Sequence, residues 1–277
     1  MGKRLLLLSL FMLFSIIAAS GLSAADKALK MATTTSTNDT GLLDYLAPLI
    51  KADTGIELQW VSVGTGMAIT HGKNCDVDVL LVHDPDAEKK FMEEGNGVDH
   101  TRVMYNDFVI IGPKADPAGI KGKTAKDALQ AISAMKAPFA SRADTSGTNM
   151  KEISLWKAAG LTPPEKEQWY VQTGQGMLPT INVAAEKNGY TLTDRGTYIK
   201  YETNYKGNPP LVILVEGDKS LLNQYSVIPV NPKKCPHAKY DLAKEFTRWM
   251  ASVKGQKLIG EFKLMKKQLF FPNAGLK

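Results

Sequence analysis

The 277-residue chain has little of what several functional classes require. It holds only two cysteines, Cys75 and Cys235, and four histidines, His71, His83, His100 and His237. No His or Cys stands at metal-ligand spacing from another, and neither an H-E-x-x-H nor a G-x-x-x-x-G-K-[ST] pattern occurs. Zinc hydrolases of the common kind and P-loop nucleotidases are thereby excluded. Two G-x-G pairs, at 64–66 and 174–176, lack the third glycine of a dinucleotide fingerprint, because Ile69 and Pro179 stand there. The formal net charge is +6, yet the lysines come as scattered pairs (89–90, 233–234, 266–267) and form no single stripe. A nucleic-acid footprint needs basic residues gathered on one face, so nucleic acid is not an expected partner. Beyond the first residues there is no long apolar run, and a membrane-spanning helix needs about 20 apolar residues.

What is present begins with the N-terminus. Lys3 and Arg4 precede an apolar run over residues 5–19, followed by small residues at Ser20, Gly21, Ser23, Ala24 and Ala25. This three-part layout predicts a secretory signal peptide over residues 1–25, cleaved before Asp26. No cysteine lies near the cleavage site, so a freely soluble, periplasmic mature chain over 26–277 is expected, as a monomer. In an oxidising compartment the even pair Cys75 and Cys235 is expected to form a disulfide.

The mature chain alternates short apolar runs with longer helical patterns. Strands are expected at 29–33, 56–63, 77–82, 108–112, 139–141, 169–172, 190–193, 211–215 and 227–230. Helices are expected at 42–52, 86–94, 125–135, 149–159, 177–188, 240–252 and 256–262. Such alternation predicts an α/β fold with largely parallel sheets. Turn-rich breaks at 112–119 and 227–232 suggest that the chain crosses between two lobes, 26–111 plus 227–277 and 112–226. A ligand is then expected in the cleft between the lobes, at the strand C-termini.

Four segments share one design, in which a strand ends in hydroxyl or glycine residues and a helix begins. They are Met31–Ser36 with Gly41 behind it, Val63–Met67, Ser141–Thr148 and Thr173–Met177. A first helical turn has unpaired N–H groups and about half a positive charge at its end. Glycine lets an anion approach the backbone, hydroxyls add rotatable donors, and arginine adds a planar fork. Taken singly, Ser, Thr and Gly at a helix start are ordinary caps. Arg142 beside Ser146, Gly147 and Thr148 goes beyond capping. Thr35, Ser36, Thr65, Gly66, Arg142, Ser146, Gly147 and Thr148 are therefore the candidate anion ligands, with no metal and no cofactor required. These donors do not titrate near neutrality, so binding is expected to be indifferent to mild changes of pH. His83 is read as a strand-end histidine satisfied within the fold, and Glu186 and Glu202 as surface charge.

Thr33-Thr34-Thr35-Ser36 with Gly41, together with Ser141-Arg142-x-Asp144-x-Ser146-Gly147-Thr148-x-x-x-Glu152, resembles the paired signatures of periplasmic tungstate-binding proteins. The resemblance extends over the mature chain, including residues 78–83 and 190–195. It implies a type II periplasmic-binding fold with two lobes, each a mainly parallel sheet flanked by helices. It further implies capture of tungstate for an ABC-importer permease, through Thr35, Ser36, Arg142, Ser146, Gly147 and Thr148. Ala143 departs from the pattern, where glycine is expected, and a methyl is tolerable there unless the residue needs a positive φ. Asp144 separates two outcomes. In a phosphate receptor it would accept the proton that phosphate retains, whereas beside tungstate it would only brace Arg142. Molybdate- and phosphate-binding receptors are the alternatives within the fold, and a phosphoester-processing enzyme is the alternative outside it.

Overall fold

The computed structural model describes residues 27–144 and 146–275. The expected signal peptide at 1–25 lies outside the described residues. In chain order the elements are β1 (Ala28–Thr34), α1 (Thr35–Asn38), α2 (Leu42–Thr54), β2 (Glu57–Val63), α3 (Thr65–Lys73), β3 (Val79–Val82), α4 (Pro85–Glu93) and β4 (Thr101–Pro113). Then come α5 (Ala125–Met135), β5 (Phe139–Ser141), α6 (Gly147–Ala158), β6 (Tyr170–Gln172), α7 (Met177–Glu186), β7 (Thr191–Asp194), α8 (Arg195–Asn204) and β8 (Leu211–Val215). The chain closes with β9 (Leu222–Pro229), α9 (Tyr240–Ala251), α10 (Val253–Glu261), β10 (Lys263–Leu264), β11 (Lys267–Gln268) and β12 (Phe271–Pro272).

Strand β4 organises the molecule. Its first part, Thr101 to Asp107, pairs antiparallel with β9 in a sheet ordered β12-β4-β9-β3-β1-β2. From Phe108 onward it pairs antiparallel with β7 and β8 instead. The parallel pair β5–β6 reaches this second group through a bridge between Phe139 and Tyr190. One strand thus carries the chain from the first lobe into the second, and β9 lies wholly in the first. The ladder changes partner between Asp107 and Phe108, inside the strand, whereas the expected break was the turn beginning at 112. Residues 222–226, expected in the second lobe, pair with the first. Pairing is parallel among β2, β1 and β3 and antiparallel at β9, β12, β7 and β8, so both sheets are mixed where the alternation suggested mainly parallel ones. Within the first sheet, β9 runs back beside the outgoing β4 and is therefore antiparallel to it.

Each sheet is covered on both faces, which is why its central strands read as unbroken apolar runs. In β3, Val79 and Leu81 face a core with α2 and α9, while Leu80 and Val82 face one with α3 and α4. In β4, Phe108 and Ile110 pack toward α5 and α6, and Val109 and Ile111 toward α7 and α8. Helix α3 begins at the foreseen helix start of Val63–Met67, although no range was expected for it, and α8 was not foreseen. Helix α8 turns Tyr198 and Tyr201 into the second lobe and Ile199 into the first, so burial on two sides erases the single apolar stripe that marks a helix in sequence. Its first residue, Arg195, donates to both carboxylate oxygens of Asp107 at 2.6 Å and to Glu216 at 2.7 Å. One guanidinium therefore ties the point where β4 changes partner to the segment that leads back to β9. Cys75 and Cys235 are joined, which fastens the end of α3 to the segment before α9.

Candidate functional site in the interlobe cleft

Helix N-termini from both lobes meet where β4 crosses. Thr35, Ser36, Thr65, Arg142, Ser146, Gly147 and Thr148 line one cavity of about 60 Å³. Gly66 does not line it; it sits in the first turn of α3 behind Thr65. The approach of the lobes is close. A Cβ on Gly147 of α6 would lie 3.6 Å from Cε1 of His83 and 3.7 Å from Oγ1 of Thr65. The space suits a few oxygen-sized atoms, since one water needs about 10–15 Å³ of such volume, and Thr35, Ser36, Arg142 and Asp194 also border an adjoining cavity of about 320 Å³.

The donors are sorted by what the fold already uses. In α6, the Asn149 amide donates to Oγ of the cap residue Ser146 and the Met150 amide to the Ser146 carbonyl. First-turn amides have no intrahelical acceptor, and among the described residues those of Gly147 and Thr148 have no acceptor either. The amide of Ser146 is already used, donating to Oδ1 of Asp144 at 3.2 Å. Arg142 donates to Oδ2 of Asp144 through Nε at 3.1 Å and Nη2 at 2.5 Å. That edge of the guanidinium is occupied, and the edge formed by the two terminal nitrogens is the fork available to an anion. Burial pushes the Asp144 carboxyl up, but hydrogen bonds from Ser146 and Arg142 outweigh it and hold the group below the ordinary aspartate range. Asp144 is thus a charged brace behind Arg142.

Beneath this loop lies Glu152, which is 3% exposed. Its carboxylate accepts from the Ser141 hydroxyl at 2.7 Å, the Tyr170 hydroxyl at 2.5 Å and Trp156 Nε1 at 3.0 Å. It joins the end of β5 to α6 and β6, so it sets the direction in which the Arg142 loop leaves the sheet. Burial raises its pKa despite these donors.

The cavity wall also contains residues that were not among the candidates, the polar ones being Thr34, His83, Asp194 and Asn223. Nδ1 of His83 lies 2.9 Å from Oδ1 of Asn223, whose Nδ2 donates to Asn106 at 2.7 Å. His83 therefore carries its proton on Nδ1, which leaves Nε2 to accept from the hydroxyl of Thr34 (3.0 Å) or of Ser36 (3.3 Å). Burial holds its pKa below the ordinary histidine value, against the opposing pull of Asn223, Glu88, Asp194 and Asp84. Asp194 caps α8, with Oδ1 accepting from the Thr197 amide at 2.8 Å and Oδ2 from its hydroxyl at 2.6 Å. A histidine in the wall removes the premise on which indifference to pH was expected. The only sequence signal for His83 was its place at the end of an apolar run; Asp194 carried a cap signature, Asp-x-x-Thr, which by itself names no ligand.

Ala143 has φ of +49°, the left-handed region that costs an L-residue roughly 1–2 kcal/mol. Glycine at this position relieves that strain but adds freedom to the unfolded chain. Ala143→Gly is therefore expected to stabilise the protein by about 0.5–1 kcal/mol, read as a rise in thermal midpoint without a change in m-value. An unchanged or lowered midpoint would show that the loop tolerates the methyl at no cost.

Comparison with known proteins places this geometry in a lineage. Residues 21–254 match the family described as the PBP superfamily domain. The chain is 54% identical over 239 residues to the tungstate-binding protein TupA of Campylobacter jejuni, covering 86% of this chain and 88% of that one. It is 47% identical to TupA of Peptoclostridium acidaminophilum, covering 88% and 85% of the two chains. The solved structure of the tungstate-binding protein TupA from Desulfovibrio alaskensis G20 is 66% identical, covers 89% of this chain and 99% of its own, and superposes with a TM-score of 0.87. Likeness of this degree across both lobes means that the chain belongs to the TupA family of tungstate-binding proteins within the PBP superfamily.

Proposed function

We propose that this protein is a periplasmic receptor that captures tungstate and delivers it to the membrane permease of an ABC importer. The observation that carries the proposal is the small interlobe cavity in which Arg142 and the first-turn amides of α6 face the hydroxyl loop of α1 and the start of α3. Donors from both lobes surround one anion, so binding favours the closed cleft, and closure is the signal a permease can recognise. Tungstate reaches the site fully deprotonated and needs donors alone. Phosphate near neutral pH carries a proton, and the carboxylates near the cavity, Asp144 and Asp194, already accept bonds from Arg142, Ser146 and Thr197. Molybdate has the same charge and shape as tungstate and fits the same donors. The apolar leader of residues 1–25 supports export, and among the described residues no helix is long and apolar enough to cross a membrane.

The test is dialysis of anion-free protein against an equimolar mixture of tungstate, sulfate and phosphate, followed by elemental analysis. One tungsten per chain, with phosphorus and sulfate at background, is the expected result. Phosphorus retained in preference to tungsten would replace the proposal with a phosphate receptor.

A further inference from the structure

The charges around the cavity do not balance. Arg142 is the cation in its wall, and it is already paired with Asp144, while Asp194 adds a second carboxylate. A doubly charged anion brings two more negative charges into a closed, poorly hydrated space. Lys200 and Lys151 line the neighbouring cavities on either side, but each is held to a backbone carbonyl, Lys200 to Asp39 at 2.6 Å and Lys151 to Leu222 at 3.3 Å. The group in the wall that can change its charge near neutrality is His83.

Its surroundings are specified from every side. From β1 and α1 come the hydroxyls of Thr34 and Ser36 on Nε2; from β9, Asn223 holds Nδ1 and the Tyr225 ring lies 4.7 Å away. Asp84 and Glu88 of the adjoining helix are acidic neighbours, Glu88 being engaged by His100 at 2.7 Å, and Asp194 is a third. From the second lobe, the start of α6 covers Cε1. With the anion absent, burial keeps the imidazole neutral. A neutral Nε2 is an acceptor, so it draws a hydroxyl proton from Thr34 or Ser36 away from the cavity. A protonated Nε2 is a donor to those same oxygens, which frees a hydroxyl proton to point at the anion.

We infer that His83 takes up a proton when the oxyanion binds, and that this uptake turns the hydroxyl of Ser36 from the imidazole toward the ligand. His83 is thus a positioning residue that acts through Ser36, and anion affinity is linked to pH. The sign follows from linkage. If the bound state holds the proton more tightly than the free state, affinity rises as pH falls between the two pKa values, by at most about tenfold per pH unit.

This inference rests on the oxyanion-receptor assignment, and the experiment separates the two. Tungstate is titrated calorimetrically into the parent protein at pH 6.5 and 8.0, each in two buffers of different ionisation heat. The expected result is binding at least about threefold tighter at the lower pH, with net proton uptake of up to one per anion. His83→Gln, which offers an acceptor oxygen but cannot charge, is expected to bind with neither the uptake nor the pH slope. Absence of tungstate binding by the parent protein would sink the receptor assignment. Binding without proton uptake, or uptake that persists in His83→Gln, would overturn the inference while leaving that assignment standing. Because the buffer dependence is measured on the parent protein, the result does not hang on the variant folding.

Discussion

Arg142→Ala is expected to weaken tungstate binding by on the order of 2–5 kcal/mol, at least a thirtyfold rise in Kd and the largest effect of any single side chain in the cleft. Three facts set this size. Arg142 is the cation in the cavity wall, its side chain is only 20% exposed, and Asp144 holds it along one edge so that the other edge is presented without further ordering. Its removal also leaves Asp144 uncompensated beside a dianion, which adds repulsion to the lost hydrogen bonds. Arg142→Lys should recover only part of the loss, because an ammonium keeps the charge but not the fork. Thr148→Ala and Ser36→Ala remove a neutral hydroxyl and should each cost about 1 kcal/mol. Calorimetric titration of the four variants ranks them directly. Equal losses for Arg142→Ala and Thr148→Ala would mean that the amides of α6, and not the guanidinium, carry the affinity.

Loss of the disulfide is expected to have the second large effect, on stability and not on affinity. The bond closes a loop with a sequence separation of 160, for which chain-entropy arguments give an upper value of about 5 kcal/mol. That is a large part of a typical domain stability of about 5–15 kcal/mol. Cys75 and Cys235 both lie in the first lobe, away from the cleft, so the anion cavity is not distorted directly. Cys75→Ala combined with Cys235→Ala should lower the thermal midpoint by roughly 10 °C or more, while tungstate Kd at 25 °C changes little. A midpoint within about 2 °C of the parent protein would indicate that the reduced chain is already confined by its own residual structure.

The order of elements and the two-lobed plan were legible in the sequence because buried strands and amphipathic helices carry strong patterns. Val79–Val82 is apolar throughout and could only be covered on both faces. What escaped was set by tertiary packing. Strand β4 was seen only from Phe108 onward, since Thr101 to Asp107 places three apolar residues, Val103 to Tyr105, between polar ones and so shows neither an unbroken apolar run nor a period of two. Helix α8 escaped because two lobes share its faces. The same physics divides the site. Arg142, Ser146, Gly147 and Thr148 stand in one contiguous loop and announce themselves, whereas His83, Asp194 and Asn223 come from three distant strand ends that only the sheet order brings to one wall. Glu152 was visible as a position of the signature, but its burial follows from Trp156 and Tyr170, which approach it from one turn along the helix and from β6. Ala143 is the reverse case. Its departure from glycine was visible, but the cost depends on a φ angle that only the folded loop reveals.

The central claim is that donors from both lobes, organised by Arg142, select a fully deprotonated tetrahedral dianion. Calorimetric titration of the anion-free mature protein with tungstate and then with phosphate, at pH 8 and equal ionic strength, tests it most directly. One site per chain with tungstate at least about a hundredfold tighter than phosphate, a gap of about 2.7 kcal/mol, is the result expected from two carboxylates whose acceptor positions are already engaged. Phosphate binding on equal terms with tungstate, or competing with it at comparable concentration, would contradict it.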